Sequence, residues 1–112
     1  MYKRQVIAGW SFGADVALTV LDARVPGWFL IAPPLRVLPA EAFVAAHDPR
    51  PKVLAVPEHD QFNPPAQARA RTEGWTNTRL EVIDGADHFL AGRTAKAAEH
   101  LLAFIDELVE GG

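Results

Sequence analysis

The chain has 112 residues, 49% hydrophobic and 22% charged, with a net charge of −3 and no cysteine. That balance is globular rather than disordered, at a length that forms one domain and buries roughly 60–70% of its unfolded surface. Without a basic face nucleic acid is not an expected partner, and without cysteine there are no disulfides, thiolate metal sites or cysteine nucleophile. No apolar run approaches the roughly 20 residues that span a bilayer, so no membrane association is expected. Met1–Arg4 leads directly into a strand-like run, which reads as a chain without a signal peptide and fits a reducing cytoplasm. No repeat or low-complexity linker interrupts the sequence, so residues 1–112 are read as a single domain.

The first predicted element is a short buried strand over Gln5–Ala8. Gly9-Trp10-Ser11-Phe12-Gly13 follows, and then a helix predicted from Phe12 to about Ala23 with Val16, Ala17, Val20 and Leu21 on its core face. A serine between glycines, after a strand and before a helix, is the context in which G-x-S-x-G presents a hydroxyl above a sheet. The turn strains the serine backbone, and small flanking residues let strand and helix approach closely. Two glycines around a serine also make an ordinary turn.

Trp28–Ala32 is a continuous apolar run stopped by Pro33-Pro34, as in a strand buried on both faces. A short helix is predicted over Ala40–Ala46 and a third strand over Lys52–Val56. Asn63-Pro64-Pro65 reads as a helix start with Asn63 as N-cap, the helix running through Ala66–Thr72 to a stop at Gly74. Arg79–Ile83 is the fourth strand. The last helix is predicted over Arg93 to about Val109, with Ala98, Leu101, Leu102, Ile105, Leu108 and Val109 on one face. Strands alternating with helices imply an α/β fold: a parallel sheet of about four strands with flanking helices.

In such sheets ligands gather beyond the carboxyl ends of the strands. The first strand ends at Ser11, the third at Glu58–Asn63 and the fourth at Asp84–Phe89. A serine, an acid and a histidine therefore fall at one edge, in the order Ser11, Asp60, His88. The chemistry suits those types. A serine hydroxyl needs a base within hydrogen-bond reach, a histidine titrates near neutral pH, and a carboxylate fixes the tautomer. Plainer readings stand beside these. Asp60 can cap the turn before Asn63, and His88 can be a loop histidine satisfied by Asp87 or by backbone. Trp10 and Phe12 flank the serine, lining an acyl pocket or simply packing. His59 reads as a rim residue, His47 and His100 as surface residues, and Trp28, Trp75 and Phe104 as core. A His59-Asp60-His88 metal cluster lacks supporting ligand spacing, so no metal and no cofactor are expected.

Gly9–Ala14, Ile31–Pro34, His59-Asp60-Gln61-Phe62-Asn63-Pro64-Pro65 and Gly85–Phe89 with Gly92-Arg93 together resemble the C-terminal half of an α/β-hydrolase. The similarity is to small lidless bacterial proteins of the dienelactone-hydrolase-like and acyl-peptide-hydrolase-like kind. The resemblance implies a serine hydrolase with Ser11 as nucleophile, Asp60 as acid and His88 as base, and with Phe12 and Trp10 beside the oxyanion and substrate. Glu58 stands where the resemblance leads one to expect glycine, so both carboxylates remain open as partners of His88. The upstream half of that fold would supply a strand beside Gln5–Ala8 and a second oxyanion N–H, a donor worth about 10²–10³ in rate. Without it, residues 5–8 form an open apolar edge. Three expectations follow: a weakly active module, a homodimer joined through that edge, or completion by a partner chain. The stretch between Pro34 and Lys52 is too short for a cap domain, so the substrate is a small or extended acyl compound such as a short ester.

Overall fold

The computed structural model describes residues 6–111. Its sheet has four parallel strands in the sequential order β1-β2-β3-β4: β1 Ile7–Trp10, β2 Trp28–Ile31, β3 Lys52–His59 and β4 Thr78–Asp87. Helix α1 spans Phe12–Ala17, α2 Pro65–Arg71 and α3 Thr94–Gly111. The predicted α/β architecture is the observed one.

The central strands are apolar on both sides, and alternate residues feed two cores. Trp28, Leu30, Leu54 and Val56 pack on one face with Ala14 and Leu18 from the α1 side and Ala68 of α2. Phe29, Val53, Ala55 and Ile83 pack on the other face with Ala97 and Phe104 of α3. The Phe29 and Phe104 rings stack with centroids 6.1 Å apart. Lys52 opens β3 although it is buried, and its ammonium donates to the carbonyls of Asp48 and Arg50 at 2.7 and 2.8 Å.

Several boundaries differ from expectation, each for a visible reason. The first strand lies later than Gln5–Ala8. Gln5 is outside the described residues, and the ladder to β2 continues through Trp10, where the Ser11 N–H donates to Ile31 O at 2.8 Å. Helix α1 stops at Ala17 instead of Ala23. The N–H groups of Thr19 and Val20 bond three residues back, the Thr19 hydroxyl bonds Val16 O, and the Leu18 carbonyl accepts from Ala45 N. Of the predicted core face Ala17 is buried, but Val16, Val20 and Leu21 are exposed, and Ala14 and Leu18 are buried in their place.

The predicted helix Ala40–Ala46 is two 3₁₀ turns, Ala40–Ala42 and Val44–His47, broken where Phe43 turns its ring into the core against Trp75. Asn63 is not the cap of α2. Pro64 holds that position, and the buried Asn63 amide donates to Pro33 O at 2.9 Å. The core face of α3 shares Leu101, Leu108 and the expected core residue Phe104 with the prediction and adds Ala97. Phe104 is 2% exposed, whereas Leu102 and Val109 are each 60% exposed.

Candidate active site

The strands that carry the three candidate residues end on the same side of the sheet, because all four run parallel. β1 delivers Ser11 directly into α1. The Ser11 backbone has φ 58° and ψ −129°, outside the helical and extended regions, as the sharp turn requires. Gly9 makes this possible. A Cβ there would lie 2.5 Å from Gly13 O and 2.7 Å from Ala14 Cα, so strand and helix could not cross at their observed separation. Gly13 has open space at the same position and is not needed for that approach.

β4 runs four residues beyond the predicted Ile83, to Asp87. A register irregularity between Pro57 and His59 leaves His59 opposite Asp87, so the acid loop and the histidine loop begin side by side. Ser11 Oγ lies 2.8 Å from His88 Nε2, and His88 Nδ1 lies 2.9 Å from Asp60 Oδ2. With the proton on Nδ1, the imidazole donates to Asp60 and accepts from Ser11. Asp60 and His88 are buried, so their pairing is shielded from water. The three residues placed at one edge by strand order are thus in direct hydrogen-bond contact.

Asp60 makes both of the contacts expected of it, to the histidine and to the turn. Oδ2 faces the imidazole, while Oδ1 accepts the N–H groups of Phe62 and Asn63 at 2.8 and 3.0 Å. The turn it caps fixes its own orientation. Glu58 points elsewhere: its carboxylate accepts the Gly85 N–H at 2.8 Å and lies 3.6 Å from His59. Asp87 is a turn residue, with Oδ1 accepting from Phe89 and Ala91. His47 is exposed, and His100, expected to be without a role, pairs with Glu81 at 2.7 Å. Among the described residues no group of three or more His, Asp or Glu is arranged to hold a metal ion.

Three contacts were not legible beforehand. Trp10 Nε1 donates to the His88 carbonyl at 3.2 Å, and Gln61 Oε1 accepts the His88 N–H at 3.4 Å. Buried Asp15 accepts the Leu35 N–H on both oxygens, at 3.1 and 3.0 Å, tying α1 to the loop after β2. Burial raises the Asp15 pKa to about 6, partly opposed by the Leu35 N–H. An acid in a first helical turn ordinarily signals favourable dipole placement, which hides this role in the sequence.

Two concavities lie away from Ser11. A cleft of about 650 Å³ opens near the start of β3, but its Arg24, Arg50 and Arg79 are each paired with a carboxylate. An apolar groove of about 240 Å³ lies between β1 and α3, lined by Val6, Ala8, Leu101 and Ile105 among others. Among the described residues no helix is long and apolar enough to cross a membrane.

No protein-family model matches the sequence, and no curated protein matches it. Solved structures do. A putative alpha/beta hydrolase of unknown function from Agrobacterium tumefaciens superposes with a TM-score of 0.75 at 21% identity, over 95% of this chain and 51% of its own. An alpha-beta serine hydrolase homologue from Coxiella burnetii gives 0.65 at 27% identity, over 95% and 48%. The esterase domain of a Rhodothermus marinus protein gives 0.72 at 17% identity, over 92% and 59%. The fold is that of part of an α/β-hydrolase, and the chain spans about half the length of the first two of these structures.

Proposed function

We propose that this chain is a serine hydrolase acting on ester-type bonds through Ser11, His88 and Asp60. What carries the reading is the unbroken hydrogen-bond relay, 2.8 Å from Ser11 Oγ to His88 Nε2 and 2.9 Å from His88 Nδ1 to Asp60 Oδ2, beside a serine held at φ 58°. In this reading Ser11 Oγ attacks the acyl carbonyl carbon as His88 Nε2 takes its proton. Asp60 keeps Nδ1 protonated and stabilises the imidazolium. The N–H of Phe12, one of the helix-start donors that α1 leaves unpaired, faces the negative charge that develops on the carbonyl oxygen. Collapse expels the alcohol, which leaves with the proton from Nε2, and water then hydrolyses the acyl-enzyme by the same steps. No cofactor or metal enters the scheme. The hydrolase-type structural neighbours support the reaction class, and the absence of cysteine suits work in the cytoplasm.

We also propose that residues 1–112 are one domain equivalent to the C-terminal portion of an α/β-hydrolase of the dienelactone-hydrolase-like kind, and that it associates through its first strand. The observation behind association is that β1 is an edge of the sheet while the flanking Phe12, Val16, Leu102 and Val109 are exposed. A symmetric homodimer joined at this edge, around residues 5–8, covers strand and flanks together. A monomer by light scattering rules the homodimer out.

Covalent labelling with a fluorophosphonate, read by intact mass, tests the hydrolase reading. Labelling of the wild type that is lost in Ser11→Ala and in His88→Ala is the expected result. An unlabelled wild type refutes an activated serine.

A further inference from the structure

We propose that Phe62 and Phe89 form the subsite for the leaving group, and that the preferred substrates are esters whose alcohol part carries a flat apolar ring. The inference rests on the hydrolase reading and narrows its substrate class. It begins from the proton path. Whatever group leaves must receive its proton from His88 Nε2, so its oxygen lies within about 3 Å of that atom. The alcohol attached to that oxygen therefore passes over whatever surrounds the imidazole.

What surrounds it is aromatic. The Phe62 ring centroid lies 4.6 Å from the His88 ring, and the Phe89 centroid 5.2 Å from it at an interplanar angle of 88°. The two phenylalanines meet each other at 6.3 Å and 86°, making a corner of two perpendicular rings. A flat ring entering such a corner meets one neighbour face-on and the other edge-on, both favourable for aromatic quadrupoles. The histidine is buried, yet Phe62 is 39% and Phe89 60% exposed, so the corner is open toward solvent.

Both rings are also pinned at their backbones. The Phe62 N–H donates to Asp60 Oδ1 at 2.8 Å, and the Phe89 N–H donates to Asp87 Oδ1 at 3.0 Å. Large apolar side chains left exposed on fixed turns beside a reacting atom are organised before a ligand arrives, which lowers the ordering cost of binding. Trp10 and Phe12 flank Ser11 along the chain, whereas Phe62 and Phe89 are the rings that meet the imidazole from which the proton departs. The corner is thus assigned to the alcohol, not the acyl group.

Benzyl acetate and ethyl acetate test this, because they share an acyl group and release alkoxides of similar basicity. The wild type is expected to favour the benzyl ester about tenfold in kcat/KM, the scale of a good aromatic contact with its apolar area. Phe62→Ala/Phe89→Ala is expected to bring that ratio toward one, and Phe89→Leu, which keeps bulk without a ring, to lower it. A second measurement needs no turnover. Benzyl alcohol titrated into Ser11→Ala is expected to shift the ring NMR signals of His88, Phe62 and Phe89, and ethanol to leave them in place. A wild-type ratio near one, or ring signals unmoved by benzyl alcohol, overturns the subsite. Fluorophosphonate labelling of Ser11 in the same preparation reports separately on the hydrolase reading, so the two fail independently.

Discussion

Trp10, the residue before the serine, holds the backbone of the histidine: its indole N–H donates to the His88 carbonyl at 3.2 Å, across 78 positions of sequence. The tie links the end of β1 to the turn after β4, strands that are not neighbours in the sheet. Ser11 and His88 are thereby held together by the histidine's main chain as well as by its ring. Trp10→Phe keeps the ring and removes the donor. A hydrogen bond of this kind is worth about 0.5–1.5 kcal/mol, so turnover or phosphonylation rate is expected to fall by about two- to tenfold. The rate of labelling, read by mass against time, measures it.

Asp60 and Glu58 are separated by a pair of substitutions. Asp60→Asn removes the charge facing His88 Nδ1 and is expected to cost about 10⁴ in kcat, because the imidazole then lacks its fixed tautomer. Glu58→Gln retains an acceptor for the Gly85 N–H and is expected to stay within about threefold of wild type. Steady-state hydrolysis of a short-chain ester reads both. A larger loss from the Glu58 change would move the acid role to that residue.

Gly9→Ala forces a methyl group to within 2.5 Å of Gly13 O, a backbone atom that cannot give way alone. Overpacking of this kind costs about 1–3 kcal/mol. The expected outcome is a lower denaturant midpoint together with loss of Ser11 labelling, since relief of the clash moves the turn itself. Gly13→Ala, with open space at that position, is expected to retain labelling.

Asp15 gives stability a pH dependence of definite sign. Its folded pKa is raised to about 6 from the ordinary carboxylate value of 3.8, mainly by burial. Between those values the folded chain binds more protons than the unfolded one, so this group's contribution falls as pH rises from about 4 to about 6. Above that range the cost of burying the charge is fully present, and below it the cost is absent. Asp15→Asn keeps an acceptor for Leu35 and removes the titration. Urea midpoints at pH 4, 5, 6 and 7 are expected to show a flatter profile in the variant over that interval. Equal slopes would refute the assignment.

The observed face of α3 predicts unequal costs along one helix. Phe104→Ala empties a fully packed position against Phe29 and is expected to cost about 3–5 kcal/mol. Leu102→Ala, on the exposed side, is expected to stay within about 0.5 kcal/mol in a monomer. Urea unfolding of the two variants checks this, and a large Leu102 effect that grows with protein concentration would locate a self-association surface there.

The four strands and the meeting of Ser11, Asp60 and His88 at one sheet edge were legible because they rest on strong local signals. The apolar run cut by Pro33-Pro34 and the short β-rich runs after it mark the strands, and in a parallel sheet the ends of the strands share one side. What the sequence hid depends on tertiary choices between near-equal local options. Val16, Val20 and Leu21 look like a core face, but the Leu18 carbonyl is taken by Ala45 and the helix ends. Asn63 suits an N-cap, but its amide is spent on Pro33 across the sheet. In α3 the predicted face mixes Leu101 and Leu108, which pack on the sheet in one stripe with Ala97 and Phe104, with Ala98, Leu102 and Val109 of the neighbouring stripe, which are exposed. The position of the sheet decides between the two stripes. The Trp10 tie leaves no periodic trace at all.

Ser11 is mounted on a short edge ladder. Among the described residues β1 and β4 are both edges of the sheet, but β1 is held to β2 over Ile7–Trp10 alone, whereas β4 pairs with β3 from Thr78 to Ile83 and again at Asp87. Local opening begins where backbone is paired least. Ser11 is therefore the member of the hydrogen-bond relay expected to depart first on warming, leaving the His88–Asp60 pair intact. Inactivation would then run ahead of the main melting transition, and amide exchange along Ile7–Trp10 would keep time with it.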